Sequence, residues 1–182
     1  MSFHPTTQRL ILRAPMMADM SAFVALLSDY DVVKNLGPVE YPYSNALFRD
    51  HLARSDGERR GGTDFAFAVT RAMDGAFIGI CSVHAKAENA WELGYWYGKP
   101  YWGQGYATEA AAPVMRFAFE DRGAALLTSG WFVDNPASGH VLEKLGFVAS
   151  GTVERNCLSR GCTVLSNRVQ LTRAEFARKK AA

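Results

Sequence analysis

The run Gly98-Lys-Pro-Tyr-Trp-Gly103-Gln-Gly105-Tyr-Ala-Thr-Glu-Ala110 constrains this chain most. It leads from an aromatic strand pattern, through a turn with two glycines, into a helical pattern. Glycine lets the backbone adopt unusual dihedrals and approach a ligand closely. The helix start leaves amide N–H groups without partners at the positive end of the helix dipole. Such a place accepts phosphate. A Walker loop is excluded, because no Lys-Ser or Lys-Thr follows Gly105. A dinucleotide fingerprint fits Gly103 and Gly105, but Thr108 takes its third place. That fingerprint also opens a β-α-β unit, whereas several strands precede this turn. A plain structural turn with no ligand stays open on these residues alone.

The flanking patterns give the fold class. Leu10–Arg13 reads as a first strand. Asp19 and Ser44 are placed to cap two early helices. Phe65, Phe67 and Val69 alternate with small residues, Asp74-Gly75 makes a turn, and Phe77–Val83 completes a hairpin. Trp91–Tyr97 is a further strand, and a helix follows from about Tyr106 to Arg122. Pro113 falls inside that helix and predicts a kink or an earlier end. Leu126–Val133 is a strand. Asn135-Pro136 opens a short helix that Gly146 closes. Phe147–Val153 and Val164–Thr172 read as a closing pair of strands. The expected architecture is mixed α/β (α+β-like), with hairpins around one strand–helix–strand crossover.

At 182 residues the chain suits one domain over 1–182, with a frayed tail from about 175. Hydrophobic residues are 48% of the chain, enough for a packed core. A net charge of +2 gives no global reason to expect nucleic acid. Three cysteines without a C-x-x-C pair suggest neither a disulfide framework nor a zinc site. No long apolar run points to a membrane, so a cytoplasmic location is expected.

Tyr-Trp-Gly-Gln-Gly-Tyr-Ala-Thr-Glu-Ala closely resembles the acetyl-CoA loop of the GNAT acetyltransferases, in the branch similar to RimJ and RimL. Arg9–Arg13, Leu27–Val33, Glu92–Trp96, Asp134–Ser138, Leu142–Phe147, Arg160-Gly161 and Leu171–Arg173 resemble other segments of that branch, in order. One departure stands out. The family generally has Arg or Gln at the position of Pro100, which has no N–H to offer a phosphate.

The resemblance implies a single GNAT-type domain. Its sheet is mostly antiparallel and twisted, with about seven strands splayed in the middle and about four flanking helices. It implies acetyl transfer from acetyl-CoA to a primary amine, without a metal, by direct attack in a ternary complex. The acceptor is a small molecule or a protein N-terminus, and the protein a monomer or homodimer. The implied CoA contacts are Tyr95, Trp96, Tyr97, Trp102, Gly103, Gln104, Gly105, Tyr106, Ala107, Thr108, Asn135 and Ser138. A backbone N–H on the strand before the loop stabilises the oxyanion in family members. Glu92 is the candidate general base, on the reasoning that partial burial raises its pKa. Ser138 is the candidate donor to the leaving thiolate, because the position where many members carry a tyrosine acid is Leu142. The acceptor elements are the first helices around Tyr30–Tyr43 and the loop Asn156–Thr163. Two other readings remain: a catalytically silent CoA-binding or regulatory module on the same fold, and a nucleotide-binding protein.

Overall fold

The computed structural model describes residues 4–181, with the side chains of 180 and 181 outside the description. Seven strands form one sheet in the order β1-β2-β3-β4-β5-β7-β6. They are β1 (Leu10–Arg13), β2 (Asp64–Arg71), β3 (Phe77–Ala87), β4 (Ala90–Tyr97), β5 (Leu126–Phe132), β6 (Val148–Cys157) and β7 (Cys162–Thr172). Among the described residues, only β4 and β5 pair in parallel. Their pairing covers Ala90–Glu92 against Leu126–Thr128 and then stops. Both strands continue, β4 for five more residues to Tyr97 and β5 for four more to Phe132. The sheet is therefore open along the second half of these two strands, as the splayed-sheet reading requires.

Two cores sandwich the sheet. Helices α1 (Met20–Leu27), α2 (Tyr30–Val33) and α3 (Asn45–Gly61) cover one face. Phe23, Phe48 and Phe77 pack there, with Trp96 against them. The Phe23 ring meets those of Phe48, Phe77 and Trp96 at 4.9–5.6 Å. Fully burying one such ring contributes about 1.5–3 kcal/mol relative to exposure. Helices α4 (Tyr106–Arg116), α5 (Pro136–Leu145) and α6 (Arg173–Ala181) cover the other face. Trp91, Leu93 and Tyr97 of β4 point there. The period-2 split of β4, with Glu92, Gly94 and Trp96 opposite Trp91, Leu93, Tyr95 and Tyr97, matches this arrangement.

Several local readings need revision. Asp19 does not cap α1 with its side chain. Its carboxylate accepts from the Met16 N–H at 2.8 Å and pairs with Arg13 at 2.6 Å. Ser44 does cap α3, accepting from the Leu47 N–H at 3.2 Å. Helix α4 passes straight through buried Pro113, and the departure from α geometry comes one turn later, as a π turn at Phe117–Asp121. Of the tail expected from 175 on, residues 175–181 belong to α6, where Phe176 stacks on Phe119 at 4.7 Å, and residue 182 lies outside the described residues. Among the described residues α2 and α6 bring the helix count to six; the four residues at Tyr30–Val33 are too few to show a helical period.

Candidate functional site

The opening between β4 and β5 is a cleft of about 640 Å³. Its walls are the end of β4, the glycine turn, the first turn of α4, the end of β5 and the first turn of α5, with α2 at the mouth. Two helix N-termini thus face one cavity.

The glycine turn begins with a 3₁₀ turn over Lys99–Tyr101, where Pro100 suits the fixed φ. Gly103 and Gly105 follow at φ +71° and +79°. Only glycine holds this left-handed region without strain. The first helical bond runs from the Glu109 N–H to the Gly105 carbonyl at 3.0 Å. The amides of Tyr106, Ala107 and Thr108 consequently have no acceptor within the helix. No side chain caps this helix start.

A clamp holds the turn from behind. The Arg9 guanidinium meets Glu109 at 2.6 Å and donates to the Gln104 carbonyl at 3.0 Å. It also lies over the Tyr106 ring, 4.6 Å from the centroid. Thr7 and the Arg9 amide donate to the same Glu109 carboxylate, at 2.6 and 2.9 Å. Glu109 thereby sits below its ordinary pKa: burial pushes it up, and these hydrogen bonds outweigh burial. This clamp escaped the sequence reading of the site. Its partners are 100 residues apart, and only the family-like opening strand drew attention to Arg9.

On β4 the carbonyl of Leu93 accepts from the Ser129 hydroxyl at 2.9 Å, and that of Tyr97 from the Trp102 indole at 2.7 Å. Odd-numbered residues therefore send their peptide groups toward β5. By strand alternation the Tyr95 N–H also points into the opening. The Tyr95 phenol crosses it, reaching the Ser138 Oγ at 2.8 Å and the Ser138 carbonyl at 3.0 Å. Burial raises the Tyr95 pKa well above its ordinary value, and the bond to Ser138 offsets only part of that. The phenol stays protonated. Asn135 occupies the N-cap position of α5 without using its side chain as a cap, so its amide is left to the cleft it lines.

Of the sequence-predicted residues, Tyr95, Trp96, Tyr97, Trp102, Gly103, Gly105, Tyr106, Ala107, Thr108, Asn135 and Ser138 line the cleft together. Gln104 does not. Its side chain turns back to the Pro100 carbonyl at 2.8 Å and fixes the turn. Glu92 does not line it either. Its carboxylate is buried among Lys86 Nζ at 2.9 Å, Arg168 Nη1 at 2.9 Å and Arg155 Nη1 at 3.2 Å. The expected upward pKa shift is reversed. Burial does push it up, but the bonds to Lys86 and Arg168 win and hold it at about 2. A carboxylate held so low is a weak proton acceptor near neutral pH. Sequence reasoning missed this because Arg155 and Arg168 come from β6 and β7, remote in the chain, and because Lys86, six positions away, meets Glu92 only through the pairing of β3 with β4. It also missed Lys34, His140 and Lys144, which line the cleft.

Of the two acceptor segments, the turn after β6 docks on the region after α2. The Leu158 N–H donates to the Gly37 carbonyl at 3.0 Å, and Arg160 bonds the Lys34 carbonyl at 2.7 Å. Arg160 also pairs with Asp134 at 2.6 Å. Among the described residues, no helix is long and apolar enough to cross a membrane.

Comparison with known proteins agrees with this geometry. A family model described as "Acetyltransferase (GNAT) domain" matches residues 9–148. The chain is 28% identical over 162 residues to YoaA of Bacillus subtilis, described as an uncharacterized N-acetyltransferase, covering 85% of this chain and 88% of that protein. Among solved structures it resembles Mycobacterium smegmatis RimJ in complex with a CoA disulfide, at TM-score 0.81 and 20% identity over 92% of this chain and 83% of that one. It also resembles the ribosomal-protein-S5-alanine acetyltransferase of Vibrio fischeri, at TM-score 0.83 and 15% identity over 96% and 98% of the two chains. With the family model covering most of its length and the cleft opening where the sheet splays, the chain belongs to the GNAT family of acetyl-CoA-dependent N-acetyltransferases.

Proposed function

We propose that this enzyme acetylates an α-amine, of the kind found at a protein N-terminus, by direct attack on acetyl-CoA in a ternary complex. The observation that carries the proposal is the Tyr95–Ser138 bond across an opening whose one end is the amide-rich start of α4. The pyrophosphate of acetyl-CoA lies on the free amides of the glycine turn and α4. Pantetheine then runs along the unpaired edge of β4. The thioester carbonyl meets the Tyr95 N–H, which stabilises the oxyanion formed on attack. As the tetrahedral intermediate collapses, the C–S bond breaks and the thiolate takes a proton from the Ser138 hydroxyl, which regains one from the water that accepted the amine proton. The Tyr95 phenol supports that hydroxyl by donating to it. Asn135 contacts CoA at the start of α5.

Glu92, the expected base, lies outside the cleft and is held at about 2. On this reading water takes the amine proton, which favours the α-amine. An α-amine with a pKa near ~7.7–8.0 is roughly a tenth neutral at pH 7, whereas a lysine near ~10.4 is neutral only a few times in ten thousand. The Vibrio fischeri structural relative is named a ribosomal-protein-S5-alanine acetyltransferase, in line with a protein acceptor.

The test is a thiol-release assay with acetyl-CoA over peptides with free N-termini, the same peptides blocked at the N-terminus but carrying lysine, polyamines and aminoglycosides. Release with free N-termini, lost on blocking, is the expected result. CoA binding without thiol release toward any amine would instead identify a silent CoA-binding module.

A further inference from the structure

We propose that the acceptor α-amine carries a carboxylate within a few bonds of its nitrogen, and that this carboxylate docks on Arg155 and Arg168. The proposal rests on the amine-acetylation reading above and names the substrate class.

Three cations converge on one buried carboxylate. Lys86 comes from β3, Arg155 from β6 and Arg168 from β7, all onto Glu92 of β4. One cation neutralises a carboxylate, and a single removed partner is what makes a buried charge costly. Ordering two further long side chains costs conformational entropy that charge balance at Glu92 does not require. Asp64 lies beyond His84 on β2, 3.7 Å from its Nδ1, with Glu58 of α3 acting on it, on the side away from β5. The side of the cluster next to the opening is thus left with surplus positive charge.

The cluster is also reachable. The side chain of Glu92 is 7% exposed, while those of Arg168, Arg155 and Lys86 are 22%, 40% and 46% exposed. Among the described residues each guanidinium bonds the carboxylate through Nη1 alone. The remaining N–H groups form a fork suited to a second carboxylate.

Position ties this charge to the reaction. Arg168 pairs in register with Gly130 of β5 and reaches Glu92 across it. A Cβ on Gly130 would stand 3.2 Å from Arg168 Cδ and Nη1. Gly130 itself lines the cleft. Gly94 on β4 likewise presents no side chain on the face of Glu92. Two glycines therefore flank the opening just where the guanidinium leans toward it. An amine placed at the Tyr95 N–H would have any nearby carboxylate beside Arg168. Free amino acids and peptides with an acidic residue at the start share this chemistry.

The experiment measures kcat/KM for matched acceptors. One arm compares peptides with Asp against Asn at the second residue. The other compares a free amino acid with its amide. A preference of about tenfold or more for the acid in either arm is expected, and the arm showing it identifies the source. In Arg155→Gln the acid-to-amide ratio falls toward one, and Arg155→Lys retains part of it. The wild-type ratio also declines with added salt, a measurement that decides the matter even if the variant folds poorly. Acetylation of amines with no acid preference in either arm, or a ratio untouched in folded Arg155→Gln and insensitive to salt, overturns this inference and leaves the acetyltransferase reading standing. Thiol release with no amine at all would overturn that reading first, and this inference with it.

Discussion

The Tyr95 phenol oxygen lies 2.8 Å from the Ser138 hydroxyl, joining β4 to α5 across the opening between β4 and β5. The phenol is held protonated by burial, so it can donate, to this hydroxyl or to the Ser138 carbonyl at 3.0 Å. Donation to the hydroxyl leaves the serine its own proton to offer toward the cleft. Ser138→Ala should lower kcat by about 10- to 100-fold, at or below the bottom of the usual range of ~10²–10⁴ for general acid–base assistance, because a thiolate is a good leaving group. The KM for acetyl-CoA should change by less than about threefold, since a hydroxyl makes only a small share of that binding. Tyr95→Phe should lower kcat by a smaller factor in the same direction. Steady-state kinetics on both variants provide the check; an unchanged kcat in Ser138→Ala removes the serine from the mechanism.

Gly105 holds the turn at φ +79°, with Arg9 Nη2 3.5 Å from where a Cβ would sit. The space is adequate, so the cost of Gly105→Ala is backbone strain of about 1–2 kcal/mol. Relief of that strain tilts the amides of Tyr106–Thr108 away from a bound anion. The KM for acetyl-CoA should rise by about 5- to 30-fold, the same energy read as a ratio. Isothermal titration with CoA measures the change directly, and unaltered affinity would place the pyrophosphate elsewhere.

Periodicity reveals what lies within one element, and the fold shows the limit of that rule. The two faces of β4 were legible because Trp91, Leu93 and Tyr97 alternate with Glu92, Gly94 and Trp96. The glycine turn was legible because its glycines and its helix are contiguous. Glu92 was misread for the opposite reason. Its burial follows from its place in β4, but its pKa is decided by Lys86, across the β3–β4 hairpin, and by Arg168, 76 positions away. The same holds for Arg9 and Glu109. Asp19 failed locally: it stands before α1 as a cap would, yet the nearby Arg13 guanidinium takes its carboxylate.

Glu92 gives a pH dependence with a definite sign. Its folded pKa of about 2 lies below the ordinary 4.5. Its ion pairs therefore stabilise the fold fully above about pH 4.5 and cease to do so as pH falls through about 2. In wild type, thermal stability should decline across that window. Glu92→Gln should flatten the decline. At pH 7 the same variant leaves three cations crowded together. Breaking a fully buried pair costs about 3–5 kcal/mol, but these partners are part-exposed, so roughly 2 kcal/mol is expected. Its pH–rate profile between 6 and 9, about where an α-amine titrates, should keep the wild-type midpoint. A displaced midpoint would restore Glu92 as the base.

Gly139 tests whether the position of α5 sets the chemistry. It follows Ser138 and faces β5, where a Cβ would stand 2.7 Å from Cε2 and Cζ2 of Trp131. Trp131 lines the cleft beside Ser138, so a shift of the indole reshapes the space proposed for pantetheine. Gly139→Ala must either displace the ring or push α5 off β5. Overpacking of this kind costs about 1–3 kcal/mol of stability. Because the Tyr95–Ser138 bond spans the same gap, lifting α5 lengthens it. The variant should lose Tm, raise the KM for acetyl-CoA and lower kcat together, unlike Ser138→Ala, which acts on kcat. A variant that loses Tm while keeping both kinetic constants would show that α5 can shift without moving Ser138 from its work, and the serine would then be bound to the reaction less tightly than the 2.8 Å contact implies.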